Sequence, residues 1–272
     1  MKYLIGISLL LISATPLLAQ RTIYEDGRLR VIRTGIAGET GSESEGGSLT
    51  KKNIIKLNLS SLAYKNIGVQ YERALSSKIS FALQGRYMLE GTIPGTSQLS
   101  DYSTDTINIF KNLKISSWAV TPEFRFYVKE ALRGFYIAPY ARVRNMSINF
   151  PINYTDDNNK AQTINTKGSF TTIGGGIMIG ANFKIGNSIS LDWFILGGHY
   201  STTNIDISSK TSQTLSASDQ LEVNDFLAST KEPLSTFIKN YSYSVTGNEL
   251  RIKGNMNSLG LRGAGINLGF RF

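Results

Sequence analysis

Between Asn53 and Phe272 the chain alternates apolar and polar residues with a period of two, in one segment after another. Period two is the signature of a β-strand with two chemically different faces. SSWAVTPEFRFYV (residues 116–128) sets Trp118, Val120, Phe124, Phe126 and Val128 against Thr121, Glu123 and Arg125. NIIKLNLSSL, IGVQYERAL and KISFALQGRYML repeat the pattern, as do FYIAPYARVRNMSI, SFTTIGGGIMIGANF, SISLDWFILGGHYS and the stretch from Ser258 to Phe272. About eight strands result, and most exceed the five or six residues usual in a globular sheet. A tilted strand that crosses a bilayer needs about 9–11 residues.

The other end of the chain points the same way. Lys2 precedes YLIGISLLLISATPLLA, an apolar stretch interrupted by Pro16 and ending on Ala19. A basic start, a short apolar core and a small final residue describe a secretory signal peptide, expected over residues 1–19. Residues 20–52 form a flexible N-terminal segment, with Gly, Ser and charge concentrated in residues 35–52. A barrel domain follows over residues 53–272. Cysteine is absent, which excludes disulfides and a lipidated cysteine. The charge of +9 falls by one with Lys2. In an exported chain such a balance suits anionic lipid rather than nucleic acid, for which no motif is present.

The expected connections are residues 63–66, 76–77, 90–115, 129–134, 149–168, 184–187 and 202–257. The second, fourth and sixth are short, whereas the third, fifth and seventh are long; only the first breaks the alternation. Outer-membrane barrels place short periplasmic turns and long external loops at opposite ends. In lipid no sheet edge can stay open, so the first and last strands must pair. The fold expected is all-β, an eight-stranded antiparallel transmembrane β-barrel with long external loops carrying short helices and both termini periplasmic. Pro122 and Pro139 each predict a nearby bulge. ASDQLEVNDFLAS (residues 217–229) predicts a helix capped by Ser218, Pro233 opens a second, and TINIFKNL (residues 106–113) a third. Together they would cover the external mouth. A soluble β-sandwich is the alternative fold.

The face turned to the lumen is ionic: Lys56, Glu72, Arg86, Glu123, Arg125, Arg142, Arg144, Asp192, Arg262 and Arg271. Charges in a closed interior persist only when paired or hydrated. A plugging salt-bridge network is therefore expected. The alternative is a narrow pore for small solutes or anions, since arginine predominates. His199 and Ser201 share a face by alternation, with Trp193 and Ile195, towards lipid. A Ser–His pair raises the lesser alternative of a lipid A-modifying acyl hydrolase, but no acid at a telling spacing would orient the imidazole. The glycines at 174–176 and Gly180 lack the lysine and helix of a phosphate loop, and leave room for bulky neighbours instead. Neither a zinc nor an EF-hand pattern is present, although Asp156, Asp157, Asn158 and Asn159 could hold a surface calcium ion. No metal or cofactor is expected.

The exported start, the first three strands, WAVTPEFRFYV and the terminal GFRF together resemble the small outer-membrane β-barrel proteins of Gram-negative bacteria, the OmpA/OmpX-like barrels. The likeness is closest to a family of uncharacterised function common in Bacteroidota-type bacteria, and it covers residues 53–272. It implies the barrel fold and a place in the cell outer membrane, and says little of function. The residues themselves are read as those of a non-enzymatic protein, structural or binding a partner or ligand through loops 90–114 and 202–243. Its surroundings would be outer-membrane lipid and lipopolysaccharide, with an outer-membrane protein as a further partner. The likeness also implies that Phe270 and Phe272 form the C-terminal signal read by the barrel-assembly machinery.

Overall fold

The computed structural model describes residues 51–62, 65–92, 113–155, 161–211 and 214–272. Ten strands form one antiparallel sheet: β1 (Asn53–Asn58), β2 (Asn66–Ala74), β3 (Ile79–Thr92), β4 (Lys114–Tyr127), β5 (Gly134–Thr155), β6 (Ala161–Ile185), β7 (Ile189–Thr211), β8 (Lys239–Val245), β9 (Glu249–Arg262) and β10 (Gly265–Arg271). Each strand from β1 to β6 pairs with the next along the chain, and β7 pairs with β9, which carries β8. β10 then bonds to β7 on one side and to β1 on the other, so the sheet closes into a ring of eight. At the seam Leu57 faces Leu268 and Ile55 faces Phe270. Asn53 and Phe272 exchange both backbone hydrogen bonds, at 3.0 and 2.9 Å. Closure removes the unpaired N–H and C=O groups that an open edge would carry.

The eighth member of the ring is β9 and β10 in tandem. The stretch expected as one final strand is broken at Gly263 and Ala264, so β9 pairs with the far half of β7 and β10 with its near half. β1 stops earlier than expected, because residues 59–62 turn into a single helical turn, α1 (Leu59–Leu62). Asn58 directs this change: its Oδ1 accepts from the Ser61 N–H at 2.7 Å, an N-cap contact.

Two of the connections expected to be long contain extensive strand. β5 and β6 continue to Thr155 and from Ala161, and β7 runs on to Thr211. The β8–β9 hairpin occupies much of residues 202–257. Between β7 and β8 lies one continuous helix, α2 (Ala217–Ser235), which passes through Pro233 rather than restarting there. Its cap is Ser216, not Ser218: the Ser216 hydroxyl accepts from the Asp219 N–H at 3.1 Å, and the Asp219 carboxylate accepts from Ser216 N–H at 3.3 Å. The expected signal peptide, most of the N-terminal segment, the candidate calcium residues and all of TINIFKNL except Leu113 lie outside the described residues.

Neither proline produces a bulge. The β4–β5 ladder lapses at Pro122 and again at Pro139, then resumes in the same register, since only the missing N–H is lost. The register shifts fall elsewhere, between Met88 and Gly91, between Ile179 and Gly180, and between Lys239 and Ser242. At the second of these Ile195 of β7 is the extra residue, because Leu196 faces Ile179 and Phe194 faces Gly180.

A cysteine pair tests closure directly in a chain with no native thiol. Leu57 and Leu268 are directly opposite in a hydrogen-bonded pair, where Cα atoms lie about 5.5 Å apart, within disulfide range. The variant Leu57→Cys, Leu268→Cys is expected to oxidise within one chain and to migrate differently on a non-reducing gel. Free thiols after oxidation would mean that the seam is open.

Candidate functional site

The interior of the ring is the candidate site, and it is layered. At the end bearing the short turns, the β4–β5 turn folds beneath the strands. Ala131 and Leu132 are fully buried there beside Ile54, Tyr127 and Tyr136. Arg271 secures this floor by donating from Nη1 to the Leu132 carbonyl at 3.2 Å. Arg271 is therefore inward and buried but lies apart from the ion network.

Above the floor six charged residues meet. The alternation of β1, β2, β4, β7 and β9 aims Lys56, Glu72, Glu123, Arg125, Asp192 and Arg262 at one another. Arg125 is the hub: its Nη1 reaches Glu72 at 3.0 Å and Asp192 at 2.8 Å, and its Nη2 reaches Glu123 at 2.7 Å. Lys56 pairs with Glu72 and, at 2.7 Å, with Asp192. Arg262 donates to Glu123 and to the Gln84 amide oxygen, both at 2.8 Å. Three cations thus balance three carboxylates. Gln70 lies between Arg125 and Glu123, while the Tyr127 and Tyr136 hydroxyls donate to Glu72 and Asp192 at 2.6 and 2.9 Å. The Arg125 guanidinium also lies 4.5 Å from the centre of the Tyr136 ring. A buried charge set needs this degree of hydrogen bonding to offset desolvation.

Several participants escaped sequence reasoning that the same alternation marks. Gln70 is in phase with Glu72, Gln84 with Arg86, Tyr127 with Arg125, and Tyr136 and Tyr140 with Arg142. Glycines set how closely these groups approach. A Cβ on Gly180 would fall 2.4 Å from the Tyr136 hydroxyl, and one on Gly265 would fall 2.1 Å from the Phe194 ring.

The remaining predicted residues form a third layer. Arg86, Arg142 and Arg144 are inward and half-buried, and none meets a carboxylate among the described residues. His199 and Ser201 also point inward, not towards the outer face. The bulge at Ile195 explains this correction, since one extra residue reverses the facing of everything beyond it. The His199 Nδ1 lies 3.2 Å from the Tyr140 hydroxyl, and Ser201 shares a hydrogen bond with Ser258 at 3.1 Å. A serine nucleophile needs the imidazole within reach of its hydroxyl, and here each has another partner.

Beyond the arginines the lumen becomes apolar. Ile148, Phe150, Phe170, Ile205, Ile207 and Ile252 line it, and Val223 and Leu227 of α2 pack into them with Ile238. The helix thereby closes the far end. No group of three His, Cys, Asp or Glu suited to a metal ion occurs among the described residues.

The chain belongs to a protein family of unknown function, DUF3575, whose model matches residues 41–238. The match takes in β1 to β7 and α2 and ends ahead of the hairpin and the closing strand. No curated protein matches the chain.

Removing one member of the network leaves its partners buried and under-compensated. Lys56→Met is expected to cost about 3–5 kcal/mol of unfolding free energy, and Arg271→Gln, outside the network, less. Urea titration of the purified protein, followed by tryptophan fluorescence, measures both. Equal losses would deny the network its central role.

Proposed function

We propose that the ring is a β-barrel of the cell outer membrane, non-enzymatic, with a plugged lumen and a partner- or ligand-binding surface on its extended end. One observation carries the membrane reading. Four neighbouring strands reverse their polarity at the same level. In β5, Ile137 and Val143 point out and Arg142 and Arg144 in; farther along, Ile148 and Phe150 point in, and Ser147 and Asn149 lie on the opposite face. In β6, Ile173 and Ile177 are outside, whereas Ile164 and Phe170 are inside. In β7, Trp193 and Tyr200 give way to outer Asn204 and Asp206 over inner Ile205 and Ile207. In β9, Leu259 and Leu261 are outside and Ile252 inside. A sheet surrounded by water throughout would keep its apolar face inward. A change of surrounding solvent, from hydrocarbon to water, accounts for the reversal.

The dimensions agree. The outer apolar band of β4 runs from Trp118 to Val128, about ten residues, which at about 3.3 Å each and a tilt near 40° is about 25 Å. Aromatic residues mark both rims, Tyr87, Trp118 and Tyr200 at one and Phe126, Phe135, Phe270 and Phe272 at the other. Such girdles anchor barrels at the membrane–water interface. No helix among the described residues is long and apolar enough to cross a membrane, so a spanning protein would have to cross with strands. The short-turn end then faces the periplasm, and lipopolysaccharide surrounds the other rim. Phe270 and Phe272 stack at 6.5 Å on the outer face, accessible to the assembly machinery.

The extended end supplies the recognition surface. Its outer face carries Lys167, Lys210, Asp206, Arg251 and Lys253, with Arg251 donating to both Asp206 oxygens at 3.0 and 2.7 Å. The balanced ion network and α2 obstruct the lumen at two levels, which favours a plug over a pore.

Arginine scanning tests the membrane reading. Leu83→Arg and Ile179→Arg, within the band, are expected to cost about 2–4 kcal/mol each in lipid vesicles, and Asn165→Arg, above it, about 0–1 kcal/mol. Equal costs, with release of the protein by alkaline carbonate, would reject the barrel. Recording from planar bilayers addresses the plug: only brief, rare openings are expected, and steady conductance would establish a pore instead.

A further inference from the structure

The layer between the ion network and the apolar cluster has donors without acceptors. Arg86, Ala119 and Arg144 are opposite one another across β3, β4 and β5, so two guanidinium groups flank a small side chain. Gln84 and Thr121 form the next pair towards the network. The Nε atoms of Arg86, Arg142 and Arg144, the Gln84 Nε2 and the Thr121 hydroxyl are all shut off from solvent without a hydrogen-bond partner. The other side of Gln84 is occupied, because its oxygen accepts from Arg262. Arg144 makes one weak contact, from Nη2 to the Met146 sulfur at 3.5 Å. Among the described residues no carboxylate reaches these three arginines. The six charges of the network already balance among themselves, so they offer no spare negative charge.

Guanidinium and side-chain amide N–H groups can only donate, so what satisfies them must accept. Three like charges enclosed together also repel one another and are costly unless neutralised. We propose that Arg86, Arg142 and Arg144, with Gln84 and Thr121, bind a small multi-oxygen anion of the phosphate or sulfate type inside the lumen. Arginine suits this role, because its planar fork matches two oxygens of such an anion at once. The strands that carry these side chains, β3, β4 and β5, are paired each with the next through β7, and the occupant proposed is a freely diffusing anion. The site is independent of what surrounds the ring and of the plug's effect on conductance.

The experiment compares urea-unfolding midpoints of the purified full chain in detergent, in chloride and in chloride with increasing sulfate or inorganic phosphate at constant ionic strength. The wild type is expected to gain stability saturably with either oxyanion. In Arg142→Gln, Arg144→Gln the concentration giving half the gain should rise by at least about tenfold, as the loss of charge-assisted hydrogen bonds implies. In chloride alone the same variant should unfold at higher urea than the wild type, because a repulsive buried charge is gone. Arg86→Gln serves as a second variant should the double one fail to fold, and the outer-face variant Lys253→Gln should respond like the wild type. Sulfate excluded from protein surfaces stabilises any fold. An unsaturable gain equal in wild type and variants is that effect alone and overturns the proposal, as does no gain at all.

Discussion

Closure of β10 on β1 is the constraint from which the rest follows. An open eight-stranded sheet would present two rows of unpaired backbone groups and two faces of opposite polarity. Joining the rows satisfies the backbone along the seam and divides space there into an inside and an outside. The seam contacts are ordinary, Ile55 against Phe270 and Leu57 against Leu268, yet they fix the circumference. Eight strands leave an interior just wide enough for side chains to fill. Every inward residue then faces a counterpart across the ring, which makes the inward sequence a packing problem rather than a surface.

The solution differs along the axis. Near the short turns, charge fills the space, and Arg125 bridges Glu72, Glu123 and Asp192 from three different strands. Such a network stabilises little by itself relative to an apolar filling, because desolvation offsets most of the attraction. It has another property that apolar filling lacks. Several of its ion pairs join strands far apart in sequence, Lys56 and Arg125 with Asp192 and Arg262 with Glu123, so a strand slipped by one residue would strand a charge against the outer face. The network thus specifies register in a sheet whose backbone bonds would tolerate many. Small residues complete the fit: Gly180 admits the Tyr136 ring and Gly260 the His199 ring, where a Cβ would fall 2.4 Å and 2.5 Å from the nearest side-chain atoms.

Much of this was legible in the sequence and some was not, for physical reasons. Alternation located all eight stretches of the ring, the last as one strand where the structure has β9 and β10, and aimed Lys56, Glu72, Glu123, Arg125, Asp192 and Arg262 to one side, since facing needs only parity. It could not join them into one network, which depends on strand order and on the stagger of neighbours. Parity also fails silently at a bulge: Ile195 leaves no compositional mark, and His199 and Ser201 were consequently placed on the wrong face. The prolines misled in the opposite sense, because β4 and β5 lose a few ladder bonds there without an extra residue. The cap was placed on Ser218, whereas the Asp219 carboxylate closes a capping box with Ser216, two residues earlier.

The largest discrepancy concerns length, and it is informative. β5, β6 and β7 were expected to end near Ile148, to begin near Ser169 and to end near Ser201, far short of Thr155, Ala161 and Thr211. Those expected ends coincide with the level at which polarity reverses. A strand reader that follows one apolar face loses the signal when the apolar residues cross to the other face, although the backbone continues unbroken. The reversal is not a bulge, since β5 and β6 keep one register from Gly134 to Thr155. Only the side-chain chemistry changes. Below the reversal the ring is an inverted structure, polar within and apolar without; above it, the same strands curve around Ile205, Ile207, Val223 and Leu227 as a conventional core. The arginines Arg86, Arg142 and Arg144 lie at the junction, where the polar interior ends and the apolar one begins. That position explains why they lack carboxylates: neither the network below nor the core above has a negative group to spare, and a charge left there must find its partner from solution.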